Sequence, residues 1–150
     1  MACQGAALIM GARLRVLVTG AGGFIGSNLI ARAPGDWDLV GLSRTTDGGT
    51  SPGLMRTPGV DEALAPELAH GFDTIVHLAG NANHDLADQE PWADLTATGV
   101  LAASILGRIP TRRVVLLSSA AVYAGLTGPV DPGQCVRPPM AYGLSKLYVS

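Results

Sequence analysis

The residues best suited to chemistry lie near the end of the chain. Tyr142-Gly143-Leu144-Ser145-Lys146 sets a phenol and an ammonium four residues apart. On a helix, positions i and i+4 share a face. An ammonium beside a phenol favours the phenolate and lowers the tyrosine pKa. Free tyrosine titrates near pH 10, so bringing it to about 7 takes roughly 4 kcal/mol of differential stabilisation. A tyrosine tuned in this way can give and take a proton at neutral pH. Lys146 is the sole lysine of the chain.

A second cluster suits phosphate. Thr19-Gly20-Ala21-Gly22-Gly23-Phe24-Ile25-Gly26 places glycines 20, 23 and 26 in G-x-x-G-x-x-G spacing. The pyrophosphate of a dinucleotide needs backbone N–H groups and a helix N-terminus aimed at it, and side chains at the turn would block its approach. The chain has 20 glycines, so spacing alone says little. The position directly after an apolar, β-branched run carries the weight. In such sites an acid at the end of the second strand binds the adenosine ribose hydroxyls. Here that strand ends Gly41-Leu42-Ser43-Arg44. A guanidinium stands where the acid is expected, and it can neutralise a 2′-phosphate. This favours NADP over NAD, with Asp47 as the remaining acid within reach of the ribose.

Strands and helices must bring these residues together. Residues 14–19 read as a buried strand feeding the glycines. Residues 27–33 read as a helix stopped by Pro34-Gly35. Residues 38–42 and 73–78 are further strands, and 61–69 a helix. Residues 91–109 form one long helical stretch with a broad apolar face, stopped by Pro110. Residues 113–117 read as another buried strand. Stretches 43–59 and 125–139 are loop-like, with one short strand near Leu54-Met55, and a helix begins near Tyr142. Strands alternating with helices argue for a parallel sheet with crossover helices.

The bulk properties narrow the function classes. A length of 150 residues fits one domain, and 47% hydrophobic with 15% charged residues is a globular composition. A net charge of −2 gives no electrostatic basis for binding nucleic acid or an anionic membrane. Neither His-x-x-x-His, Cys-x-x-Cys nor a carboxylate cluster occurs, so no metal is expected. Cys3 and Cys135 have no paired or ligand spacing and read as free thiols. No apolar run is long enough to cross a bilayer, and the start is a poor signal peptide. A cytoplasmic protein is expected.

In order, the motifs resemble the opening of the extended short-chain dehydrogenases/reductases, the NAD-dependent epimerase/dehydratase family. The similarity runs through Val16-Leu-Val-Thr-Gly-Ala-Gly-Gly-Phe-Ile-Gly-Ser-Asn-Leu29, Asp73-Thr-Ile-Val-His-Leu-Ala-Gly80 and Arg113-Val-Val-Leu-Leu-Ser-Ser-Ala-Ala-Val-Tyr123. It ends in the Tyr142–Lys146 motif and covers about residues 14–150. The resemblance implies an α/β doubly wound parallel sheet, the Rossmann fold. It implies that Gly20, Gly23, Phe24, Ile25 and Gly26 hold a diphosphate, Phe24 and Ile25 packing under it while their N–H groups bind. Ser43 and Arg44 would meet the adenosine ribose, and Leu78, Ala79 and Gly80 the nicotinamide ribose. Tyr142 would be the general acid/base. Lys146 would tune it and hold the nicotinamide ribose. Ser119 would position the substrate oxygen, with Ser118 as its fallback.

One family position departs. The asparagine that usually supports a water relay to the lysine corresponds here to Thr96. His77 reads as a packed, buried histidine, and His84 as facing either substrate or solvent. The implied activity is that of an epimerase, dehydratase or reductase acting by hydride transfer on a small molecule, a sugar nucleotide or similar alcohol or carbonyl compound. The alternative is a non-catalytic NADP-binding regulator or an inactive fragment. Family members are about twice this length. Residues 1–12 are therefore expected as a disordered extension and 13–150 as an incomplete NAD(P)-binding domain, truncated after the helix bearing Tyr142 and Lys146. The C-terminal substrate lobe is expected to be absent, and a homodimer is possible for the full-length protein.

Overall fold

The computed structural model describes residues 13–44 and 53–150. Cys3, Asp47 and the expected 1–12 extension lie outside them. Among the described residues, five strands form one sheet: β1 (Leu14–Thr19), β2 (Trp37–Ser43), β3 (Leu54–Arg56), β4 (Phe72–His77) and β5 (Thr111–Leu116). Their order is β3-β2-β1-β4-β5 and every pairing is parallel. This is the order of a Rossmann sheet, in which the strand order reverses between β1 and β4. Ligands bind at that switch point, beyond the carboxyl ends of the strands. Thr19 and His77 pair directly across it.

β1 is central, so its apolar run is buried. Val16, Leu17 and Val18 are all but inaccessible to solvent. Leu17 packs with Leu42, Leu68, Phe72, Ile75, Ile105 and Ile109 to form the core. Helix α1 (Phe24–Arg32) joins β1 to β2 and starts inside the glycine run, three residues before the sequence suggests. Arg15 ties the lower end of β1 to β4, its amide donating to Asp73 Oδ2 and its guanidinium to Gly71 O.

Three expectations need correction. Residues 61–69 are not one helix: only α2 (Pro66–Ala69) is helical. Pro66 forces Ala65 into extended backbone, at φ −60° and ψ 141°, and suits only the first helical turn. The stretch 91–109 is divided into α4 (Pro91–Leu95), a π-helical turn (Thr96–Val100) and α5 (Leu101–Arg108). It is preceded by a helix that the apolar pattern did not reveal, α3 (His84–Gln89), capped by the Asn83 side chain. Finally, β5 is not buried. As the sheet edge it leaves Val114, Val115 and Leu116 exposed, with Leu117 just beyond.

This contrast between centre and edge is measurable. Leu17→Ala should cost about 2–5 kcal/mol in urea unfolding. Val115→Thr, 47% exposed at the edge, should change stability by less than about 1 kcal/mol.

Candidate active site

The phosphate turn is built by close backbone approaches. Gly20 has φ +70°, a conformation that L side chains rarely adopt, and a Cβ there would lie 2.8 Å from Ala79 N. A Cβ on Gly26 would lie 2.8 Å from Ala21 Cα, and one on Gly22 would lie 2.6 Å from Ser43 Oγ. Ala21 N donates to Leu42 O at 2.9 Å. The turn is thereby wedged between the ends of β2 and β4, with α1 packed onto it. The first-turn amides of Phe24, Ile25 and Gly26 have no intrahelical acceptor. The Phe24 and Ile25 side chains are exposed. Free amides, a helix start and no room for side chains fit a dinucleotide diphosphate. Ser43 is buried beside Gly22, and Arg44 is exposed directly after β2.

Thr19 anchors the opposite wall. Its hydroxyl accepts from the amides of Leu78 at 3.2 Å and Ala79 at 3.1 Å. It lies 2.9 Å from His77 Nδ1. With its acceptor sites taken, the hydroxyl donates to Nδ1, which leaves the ring proton on Nε2. Nε2 is buried without a partner among the described residues. Burial, aided by the positive charge of Lys146, pushes the imidazole down from 6.5 to about 4. His77 is thus a packed, neutral histidine, as its place inside a strand suggested.

Helix α6 (Ala141–Tyr148) carries Tyr142 and Lys146. Gly143 lets it lie tight on the loop, since a Cβ there would meet Pro138 Cβ at 2.6 Å and Ala121 O at 2.7 Å. Tyr142 and Lys146 are both buried. Lys146 Nζ stands 5.7 Å from the centre of the Tyr142 ring. A Cβ on Gly80 would be 3.4 Å from Lys146 Nζ, so the ammonium sits at the end of β4 where Leu78, Ala79 and Gly80 emerge. Burial pushes the Lys146 ammonium below the usual lysine range, and the negative charge of Asp94 pulls it back up.

The two serines are differently engaged. Ser119 Oγ accepts from Ala121 N at 3.2 Å, capping the short 3-10 turn (Ala120–Tyr123) that packs on α6. Ser118 Oγ lies 2.5 Å from Ser150 Oγ, which in turn donates to Lys146 O. Thr96 Oγ1 is buried with no partner among the described residues.

His84, which the sequence leaves facing either substrate or solvent, stacks on Tyr142 with ring centroids 4.1 Å apart and is at the same time exposed to solvent. Three further neighbours, Asn81, Asp94 and Thr98, were not marked by sequence reasoning. Asp94 is wholly buried and accepts from Asn81 Nδ2 at 2.8 Å, and Thr98 Oγ1 accepts from Asn81 N at 3.1 Å. A signal for Asp94 existed: it lies four and eleven residues before Thr98 and Ile105, a helical spacing that puts an acid on the apolar face.

The sheet, the glycine turn and the buried Tyr142–Lys146 pair define a dinucleotide-binding α/β domain. The chain belongs to the NAD-dependent epimerase/dehydratase family, whose model matches residues 16–150. Over 139 residues it is 31% identical to N-acetyl-alpha-D-glucosaminyl-diphospho-ditrans,octacis-undecaprenol 4-epimerase of Escherichia coli O157:H7, covering 87% of this chain and 40% of that protein. MoeE5, solved with UDP-glucose and NAD, superposes with a TM-score of 0.77 at 26% identity, over 90% of this chain and 46% of MoeE5. UDP-glucuronic acid 4-epimerase from Bacillus cereus, solved with UDP-glucuronic acid and NAD, shares the fold with a TM-score of 0.74 at 20% identity, over 90% and 49% of the two chains. The chain spans less than half the length of these relatives. No described helix is long and apolar enough to cross a membrane.

The depressed His77 pKa gives a stability prediction. The unfolded imidazole titrates near 6.5 and the folded one near 4. Between these values the unfolded chain binds more protons, so stability is present above 6.5 and is lost as pH falls through the window. The loss should reach up to about 3 kcal/mol by pH 4 in urea titrations. His77→Asn should flatten that part of the dependence.

Proposed function

We propose that the protein is the cofactor-binding part of a nicotinamide-dependent enzyme that performs acid/base and hydride-transfer chemistry on a sugar nucleotide or a similar alcohol or carbonyl compound. The observation that carries this is the burial of Tyr142 and Lys146 on one face of α6, with the ammonium at the end of β4. The names of the relatives, sugar epimerases among them, support the substrate class.

The residues divide the work. The turn at Gly20, Gly23, Phe24, Ile25 and Gly26 binds the diphosphate through backbone N–H groups. Leu78, Ala79 and Gly80 border the nicotinamide ribose, and Lys146 donates to it. Tyr142 Oη moves the proton on the reacting substrate oxygen, and Ser119 Oγ orients that oxygen. The bound nicotinamide supplies a carbon that accepts or returns a hydride. Epimerisation or dehydration returns the hydride within one cycle, whereas reduction releases an alcohol. The domain proper comprises residues 13–150, and its activity in cells belongs to the cytoplasm.

Two tests follow. Tyr142→Phe should lower turnover of a UDP-sugar by at least about 100-fold while cofactor affinity stays within a few-fold. Unchanged turnover overturns the catalytic role, and intact cofactor binding without any turnover in the parent marks a regulator instead. We further propose that Arg44 makes NADP the preferred cofactor, through charge-assisted bonds to the 2′-phosphate. Arg44→Ala should weaken NADP about ten-fold or more and leave NAD unaffected. Tighter binding of NAD than of NADP by the parent chain overturns the preference.

A further inference from the structure

We propose that Asp94 is the buried counter-charge of Lys146, a positioning residue that keeps the ammonium charged and held against Gly80 and Tyr142. This deepens the role proposed above for Lys146 and rests on it.

Asp94 is wholly inaccessible to solvent. Its Oδ1 accepts from Asn81 Nδ2 at 2.8 Å, while Oδ2 is buried without a partner among the described residues. An ionised carboxylate in that setting is costly unless a cation compensates it. The described ion pairs, Arg15 with Asp38 and Arg56 with Glu62, lie elsewhere. The negative charge of Asp94 reaches Lys146 and acts to raise the ammonium pKa against the effect of burial.

The linkage runs through one loop. Lys146 Nζ and Thr98 Oγ1 flank Gly80, each 3.4 Å from where its Cβ would stand. The next residue, Asn81, bonds Thr98 through its amide N–H and Asp94 through its side chain. Asn81 is itself fixed, with Nδ2 donating to Asn83 O and Oδ1 accepting from Asn83 N. Carboxylate and ammonium thus stand on either side of a braced turn rather than in direct contact. The arrangement resists collapse into a tight pair that would pull Lys146 away from the ribose side.

The other groups that face Lys146 have distinct effects. His77 on β4 is neutral above about pH 4. Tyr142 shares helix α6, and His84 of α3 reaches the site through the Tyr142 ring. Asp94 is therefore the carboxylate in this set.

The sole lysine makes a direct test possible. Lysine labelled with 13C at Cε gives one side-chain signal, whose pH titration in the cofactor-free chain reports Lys146 alone. Asp94→Asn should move the midpoint to lower pH. Asp85→Asn, the same charge change on the exposed start of α3, should leave it in place. An unmoved midpoint in Asp94→Asn, or equal shifts in both variants, overturns the proposal. If Asp94→Asn does not fold, the unpaired cation is the expected reason. The double variant Asp94→Asn, Lys146→Met should then recover a folded spectrum, and failure to recover overturns the proposal. Because no turnover is measured, the outcome is separate from the fate of Tyr142 as acid/base.

Discussion

The site depends on one saturated hydroxyl. Thr19 Oγ1 takes two amides and gives its proton to His77, which uses its ordinary hydrogen-bonding capacity in full. That junction sets where β4 stops being a strand and turns toward the ligand side. It holds the 78–80 segment against Gly20 on one side and offers it to Lys146 on the other. Losing the hydroxyl would orphan the Ala79 amide and a ring nitrogen together, each at the cost of an unsatisfied polar group, while the Leu78 amide would keep its bond to Thr19 O. The junction also fixes the tautomer of a ring that burial keeps neutral, so the positive charge at the end of β4 comes from lysine and not from histidine.

A second constraint is steric. The glycine turn works because three backbone segments meet at distances where a methyl group does not fit. Gly20 faces β4, Gly22 faces β2 and Gly26 faces the turn itself. The middle position, Gly22, is outside the three-residue periodicity, yet it is what allows Ser43 to approach. The position of the end of β2 is thereby set by the same glycine turn.

Much of this was legible in the sequence. The apolar β-branched run before the glycines, the i, i+4 pair at 142 and 146, and the order of motifs led to the sheet, the turn and the helix that buries Tyr142 and Lys146. Boundaries near prolines were less legible. Pro66 erased the first half of a helix that composition favoured, because the residue before a proline avoids helical backbone. The exposure of β5 was hidden because a short apolar run looks the same whether or not neighbours cover it. The Asp94–Asn81 network was hidden for another reason. Spacing puts Asp94 on the apolar face of its helix, but its partner Asn81 stands in a loop, and only the fold brings the two together. Arg44 remained legible as a cation at the end of β2, while Asp47 falls outside the described residues.

The π-helical turn at Thr96–Val100 has a consequence for how the protein tolerates change. Adjacent residues on an α-helix point about 100° apart. Here both Thr98 and Gly99 are buried, the first bonded to Asn81 and the second pressed by the Tyr148 ring. The wider i→i+5 turn sets neighbours at a smaller angle, and both reach packed surroundings here. A substitution removes one contact at a time. Deleting a single residue from this segment would restore the narrower winding and swing one neighbour outward, however well the remaining side chains were kept. The segment is thus more sensitive to length than to composition, so insertions and deletions among relatives should avoid it even where side chains vary.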